Sequence, residues 1–300
     1  MLATLANPII PIFAILGIGY LAGRQGWFDA EFARALNRFV FFIAQPALVF
    51  LVVAQAPFSD LPWTGLGAYF LTQIAVYTGG ALLARLAFKR DLREAILLGM
   101  TCAFVNHVFY ILPIAERIYG AEAAIPIAGV IVVDIAILYC GTILIMDSLA
   151  GGGVKRVAAA TARNPALIAI ALGLAANLAR EALPPGLFTY AEFVGRAAPP
   201  ASLFSLGIVM AAAVVWPFGG MTWSIVGIKT VLHPLLALAA FSALSVETSA
   251  ASILLLVAAG PCGAMPFVIG LQYGVRTETI AKAIFASTLL TLFTLAWLTA

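Results

Sequence analysis

The sequence predicts an all-α membrane protein of about ten transmembrane helices, built as two inverted five-helix repeats with crossing broken helices four and nine. Three observations predict it. Apolar runs of membrane-spanning length recur from one end of the chain to the other, the basic residues fall almost entirely in alternate connections, and helix-breaking residues interrupt matching places in the two halves. The chain is 63% hydrophobic and 10% charged, against about 25% charged in soluble domains, and its mean hydropathy is +1.08. So few polar side chains cannot cover the surface of a water-soluble fold. Since a helix advances about 1.5 Å per residue, about 20 apolar residues cross a bilayer.

The first predicted span covers about Asn7 to Gly23 and ends at the polar stretch from Arg24 to Asn37. With no Lys or Arg before it and no cleavage-like site after it, it reads as a span and not as a signal peptide. The second runs from about Arg38 to Gln55 with Pro46 inside it, and the third from Trp63 to Phe88. The fourth, Ala95 to Tyr119, is interrupted between Asn106 and Pro113, and the fifth covers Ala123 to Met146. Residues 1–150 therefore form the first repeat, 151–163 a glycine-led, basic linker, and 164–300 the second repeat. Its spans are about Asn164 to Leu183, Ala197 to Trp216, Thr222 to Leu244, Ala251 to Gln272 and Thr279 to Thr299. The ninth is interrupted from Gly260 to Pro266.

With ten spans, the odd-numbered connections carry twelve Lys and Arg residues and the even-numbered side three, Arg117, Arg180 and Arg196. Basic loops stay in the cytoplasm, so both termini are expected on the outer face of the inner (plasma) membrane. The halves echo each other in order. Asn7 and Pro8 open span one as Asn164 and Pro165 open span six, and Tyr119-Gly120 closes span four as Tyr273-Gly274 closes span nine. Five spans per half is an odd number, which inverts one half relative to the other. Helices interrupted at matching repeat positions point to the binding site of a secondary transporter, where freed backbone groups must line a cavity or find partners.

The residues at these places resemble the auxin efflux carrier family, whose bacterial members include malonate and malate carriers. The resemblance covers nearly the whole chain. It is carried by Ile10-Pro-Ile-Phe-Ala-Ile-Leu-Gly-Ile-Gly-Tyr20, Ala35-Leu-Asn-Arg38-Phe-Val-Phe-Phe-Ile-Ala-Gln-Pro46, Arg163-Asn-Pro165, Lys229-Thr-Val-Leu-His-Pro234, and Ala258-Ala-Gly-Pro261 running on to Tyr273-Gly274. It implies two five-helix inverted repeats, a crossover of broken helices four and nine, and transport of a small organic anion. The first crossover departs from the family's Ser-Asn-Thr-Gly-like stretch: Val105-Asn106-His107-Val108-Phe109-Tyr110 is bulkier and adds an imidazole. At the second, Gly260 replaces a Met before Pro261, and small or apolar residues follow where the family has an Asn.

Ionisable groups inside a membrane are costly and are functional candidates. Asn106, His107, Pro261, Cys262 and Gly263 are the expected substrate-binding residues. Asp134, mid-way along span five, and His107 are the proton-coupling candidates, since a buried carboxyl and an imidazole can each take up and release a proton. The alternative for Asp134 is a structural acid paired with Lys229 or a backbone group; for His107, a neutral ring hydrogen-bonded to a freed carbonyl. Lys229 is a possible substrate cation, with snorkelling to the interface as the blander reading. His233 reads as a kink residue before Pro234, and Gln45, Gln73 and Asn177 as hydrogen-bonders between helices.

No metal ligand set, cofactor motif or catalytic constellation is present, and the three cysteines, Cys102, Cys140 and Cys262, have no metal-binding spacing. The basic loops are accounted for by topology, so no nucleic-acid partner is expected. The expectation is a non-enzymatic secondary carrier moving a small, carboxylate-like organic anion by alternating access, with membrane lipid as its surroundings. Proton coupling and a homodimer are left open. A sodium-coupled bile-acid-type symporter would need polar sodium ligands around both crossovers, where only Asn106 and Thr101 qualify. A channel or an intramembrane enzyme fits less well.

Overall fold

A computed structural model of the chain describes residues 2–150, 159, 162–179, 182–212 and 217–298. Most of the predicted linker, with Gly151, Lys155 and Arg156, lies outside the described residues, as do Arg180, Trp216 and Thr299. The helices are α1 (Leu2–Arg24), α2 (Ala30–Gln55), α3 (Trp63–Leu86), α4 (Leu92–Ala103), α5 (Leu112–Tyr119) and α6 (Ala121–Leu149). After the linker come α7 (Pro165–Leu178), α8 (Pro185–Ala211), α9 (Gly220–Ala243), α10 (Thr248–Ala258), α11 (Met265–Gln272) and α12 (Glu278–Leu298). The fold is all-helical. Five of these helices, α2, α3, α6, α8 and α9, are long and apolar enough to cross a membrane alone, and shorter apolar helices accompany them.

Two helices begin earlier than hydropathy suggests. The polar stretch before span two is helical from Ala30, because the Asp29 carboxylate caps it by accepting from the backbone N–H groups of Glu31 and Phe32 at 3.0 and 2.8 Å. The connection before span seven is likewise helical from Pro185, whose fixed φ suits a first helical position. At α7 the Asn164 side chain accepts from Ala166 N–H at 3.0 Å, with Pro165 as the first residue. The tyrosines that close α5 and α11 are each followed by a glycine at positive φ, Gly120 at +83° and Gly274 at +66°, where a side chain would be strained.

The interior is mainly apolar but holds several buried polar side chains, and large apolar side chains also stand on the outside. Ile18, Leu21, Leu71, Leu82, Leu172, Leu235 and Leu238 stand on outward helix faces, while Gln73, Asp134, Lys229 and His233 are fully buried. That apolar exterior suits a surface in contact with lipid chains.

Small residues set how closely the helices approach, as expected where no hydrophobic effect drives helix association. A side chain at Gly19 of α1 would collide with the Phe204 carbonyl of α8, and one at Gly207 of α8 with the Leu16 carbonyl of α1. Gly173 of α7 meets α2 in the same way: a Cβ there would fall 2.8 Å from Val53 Cβ and 3.0 Å from the Phe50 carbonyl oxygen. Asn177 of α7 donates to the carbonyls of Val53, Ala54 and Ala56 at 3.3, 3.0 and 3.0 Å, holding the end of α2.

The seam makes a direct prediction. Overpacking of this kind costs about 1–3 kcal/mol, so Gly207→Leu should lower the detergent-solubilised melting temperature by several degrees and reduce the monodisperse fraction. Gly67→Ala, where an added Cβ meets nothing within 4 Å, should leave both unchanged.

Candidate substrate site at the crossing of two broken helices

α4 stops at Ala103 and the chain resumes helical form only at His107; α10 stops at Ala258 and resumes at Met265. The two non-helical segments cross as a short antiparallel pair at Val105 and Cys262. Asn106 N–H donates to the Pro261 carbonyl at 3.1 Å, and Gly263 N–H donates to the Phe104 carbonyl at 2.8 Å. Each break thus satisfies backbone groups of the other, which the membrane interior demands. The crossing is tight. A Cβ at Gly263 would fall 2.6 Å from the Val105 carbonyl oxygen, and one at Gly260 would fall 2.6 Å from Ile111 Cδ1.

Neighbouring helices support both segments. Ser287 of α12 accepts from Cys262 N–H at 3.1 Å, and Thr291 donates to the Tyr110 hydroxyl at 2.9 Å. The half-helix ends are also covered. The Gln73 amide of α3 donates to the Ala103 carbonyl at the end of α4, at 3.4 Å, and to the Tyr69 hydroxyl at 3.2 Å. The Lys229 ammonium of α9 donates to the Ala258 carbonyl at the end of α10, at 2.7 Å.

A cavity of about 70 Å³ lies on one side of the crossing. Asn106, His107, Gly263, Ala264 and Met265 line it from the two breaks, Ile131 and Ile135 from α6, and Gln45 and Ser202 from α2 and α8. It is small beside the roughly 300–1,000 Å³ of pockets for drug-sized ligands, and its walls are mostly apolar with a few convergent polar groups. Met265 opens α11. Pro266 carries no N–H, and the Phe267 and Val268 N–H groups donate to the Ala264 carbonyl at 3.1 and 3.2 Å, so this helix start offers the Met265 N–H and the partial positive charge of the helix dipole.

His107 is the ionisable wall residue. Its Nε2 lies 2.7 Å from Asp134 Oδ2, with the imidazole 5% and the carboxylate 0% exposed. The contact is off the line of the ring N–H, and neither Asp134 oxygen accepts an aligned hydrogen bond among the described residues. The two groups are thus adjacent without an aligned hydrogen bond between them. His107, Asp134 and Lys229 each sit on a widened π-turn, at His107–Ile111, Asp134–Tyr139 and Ile228–Leu232. Such turns are frequent at functional sites. Two of them lead into prolines, Pro113 and Pro234, which supply no N–H for the regular ladder.

The five expected binding residues are brought together, though not alike. Asn106, His107 and Gly263 face the cavity, whereas Pro261 and Cys262 form the backbone crossing beside it. Asp134 pairs with His107 and not with Lys229. The snorkelling reading of Lys229 is corrected: the side chain is 0% exposed, because the α10 terminus and the His233 Nδ1 atom, 3.0 Å away, hold its ammonium in the interior. It does not line the cavity either. Sequence reading missed the wall residues Gln45 and Ser202, and missed that Gln73 covers a helix end. The repeat offset was available as a signal for the last: Gln73 and Lys229 lie 156 residues apart, and Ala103 and Ala258 155.

A family model described as "Membrane transport protein" matches residues 4–299. The chain belongs to that family, the auxin efflux carriers. It is a multi-pass membrane transport protein and not an enzyme. Among its relatives is the "Putative malonate transporter" of Rhizobium meliloti (strain 1021), 28% identical over 98% of this chain and 94% of that protein. An "Uncharacterized transporter" of Methanothermobacter thermautotrophicus is 24% identical over 96% of this chain and 95% of its own length. The "Uncharacterized transporter YfdV" of Escherichia coli (strain K12) is 23% identical with the same coverage.

The closeness of the crossing can be tested in this carrier. Gly263→Ala puts a methyl group against a backbone oxygen that cannot swing away, so it should lower the detergent-solubilised melting temperature by several degrees. Gly141→Ala, in open space on α6, is the matched control.

Proposed function

We propose that the protein is a secondary carrier of small organic anions of the carboxylate class, working by alternating access across the inner membrane. The observation that carries this reading is the cavity at the crossing of the two broken helices, walled by Asn106, His107 and the start of α11. A carboxylate there meets Asn106, the Met265 N–H with the partial positive charge at the head of α11, and the imidazole of His107. Helix N-termini hold anions without a full cation. The size of the cavity and the name of the Rhizobium relative favour a substrate of a few heavy atoms, such as a short dicarboxylate.

The chain is read as two inverted repeats, 1–150 and 164–300, joined by the linker 151–163. Two pseudo-equivalent packings support it: α1 on α8, and α7 on α2, with Gly19 and Gly173 at corresponding seams 154 residues apart. Tyr119 and Tyr273 have the same offset of 154. The odd-numbered connections, with their basic residues, lie in the cytoplasm, and both termini outside. One bundle, built on the α1–α8 and α2–α7 seams, rocks against the bundle that holds the crossing, exposing the cavity to each side in turn.

Transport is coupled to protons in this reading. Bringing an anion alone into a buried site costs several kcal/mol. A proton carried by the His107–Asp134 pair cancels that charge, since an imidazolium next to Asp134 presents its remaining positive face to the substrate. The proton leaves with the anion when the cavity opens to the other side.

In reconstituted vesicles, Asn106→Ala and Pro261→Ala should each reduce carboxylate uptake by an order of magnitude or more; if both variants carry as well as the parent, the site is elsewhere. Uptake by the parent should rise as the pH on the entry side falls. Asp134→Asn should flatten that profile, and an unchanged profile would remove the proton from the scheme. A melting-temperature screen against mono- and dicarboxylates then identifies the substrate by the largest upward shift.

A further inference from the structure

The two breaks leave two helix C-termini inside the protein, those of α4 and α10, and the molecule treats them differently. The last carbonyls of any helix lack intrahelical partners and carry partial negative charge. At α4 a neutral amide, Gln73, answers the Ala103 carbonyl from 3.4 Å. At α10 a full cation, the Lys229 ammonium, answers the Ala258 carbonyl from 2.7 Å. Gln73 is ten residues past the start of α3 and Lys229 nine past the start of α9 (73 − 63 and 229 − 220). The same place in the two halves thus holds a neutral donor in one and a charge in the other.

Nothing about Lys229 suggests a contact with substrate. It is 0% exposed, absent from the cavity wall, and held from below by His233 Nδ1 at 3.0 Å. Its acidic neighbour is Asp134, which is near enough to interact through space and which pairs with His107 at the start of the other half-helix. In carriers with broken helices, half-helix C-termini and unwound carbonyls are where a coupling cation is coordinated. Here that position is filled by a cation that cannot leave.

We propose that Lys229 is a positioning residue, a tethered resident cation that stands where a coupling sodium would otherwise bind, so that the α10 end stays charge-compensated throughout the cycle. The inference rests on the carrier reading above for its meaning in transport, but not for its test. With the ammonium fixed in place, the crossing needs no exchangeable metal cation to be assembled, and the anion is balanced by the proton on His107 and Asp134 alone. Lys229 then sets the backbone of Pro261 to Gly263 from behind, without touching the substrate.

The test is cation rescue of the purified full chain, read by melting temperature without any substrate. At constant ionic strength in choline chloride, Lys229→Ala should melt several degrees below the parent. Replacing choline with methylammonium or sodium should recover at least half of that loss, while the parent shifts by less than a degree. If the variant responds to these cations no more than the parent, the proposal is overturned. If Lys229→Ala yields folded protein only when purified in methylammonium, the proposal is supported. Lys229→Gln, which copies the Gln73 arrangement, keeps a hydrogen bond and removes the charge; if it melts like the parent, a neutral cap suffices and the proposal fails. In vesicles, parent uptake should be indifferent to sodium, and Lys229→Ala should acquire sodium dependence. A sodium-dependent parent would overturn the inference while leaving the carboxylate site, tested through Asn106 and Pro261, standing.

Discussion

The antiparallel contact between Val105 and Cys262 is the constraint on which the rest of the structure depends. Ending two helices in the middle of a bilayer exposes backbone groups that have no water to turn to, and each break supplies hydrogen bonds to the other. The remaining groups dictate their surroundings. Ser287 meets the Cys262 N–H, Gln73 the end of α4, and Lys229 the end of α10. Gly260 and Gly263 are glycines because the opposing segment leaves no space for a side chain. The polar side chains buried in an otherwise apolar interior follow from the two interrupted helices, and the apolar exterior suits lipid.

Electrostatics follow from the same geometry. Four half-helix ends converge near one point, positive at the starts of α5 and α11 and negative at the ends of α4 and α10. Asp134 lies beside His107, where the chain resumes helical form after the first break, and Lys229 by the end of α10. The start of α11 has no such acid, and it is this end that faces the cavity with Ala264 and Met265. That end is where the proposed anion would sit. The glycine seams between α1 and α8 and between α7 and α2 bring those helices into close contact, and α2 and α8 also line the cavity at the crossing.

Much of this was legible in the sequence because it is written in residue types with few uses in a membrane. Proline and glycine in spans four and nine announced the breaks, and the Tyr-Gly pairs after them gave the register of the proposed repeats. Asp134 and His107 were visible as ionisable residues in apolar runs, though their pairing was not. Sequence separation cannot show that residues 27 apart on different helices meet at 2.7 Å. Lys229 was misjudged for a physical reason: a lysine nine residues into a helix can reach the interface, and only the presence of an unpaired helix end nearby makes the interior the better destination. Gln45 and Ser202 gave no signal, since polar residues that line a cavity look the same in sequence as those that bond between helices. The helical starts at Ala30 and Pro185 were missed because caps, not hydropathy, set them.

All three cysteines of the chain are buried. The native protein is therefore silent toward thiol reagents that stay in water, and a single cysteine placed in any exposed connection becomes the one reactive group on the molecule. Sidedness labelling, crosslinking across the two bundles and attachment of paired fluorescent probes can all start from the natural sequence, without first stripping Cys102 and Cys262 from the crossing that organises the fold.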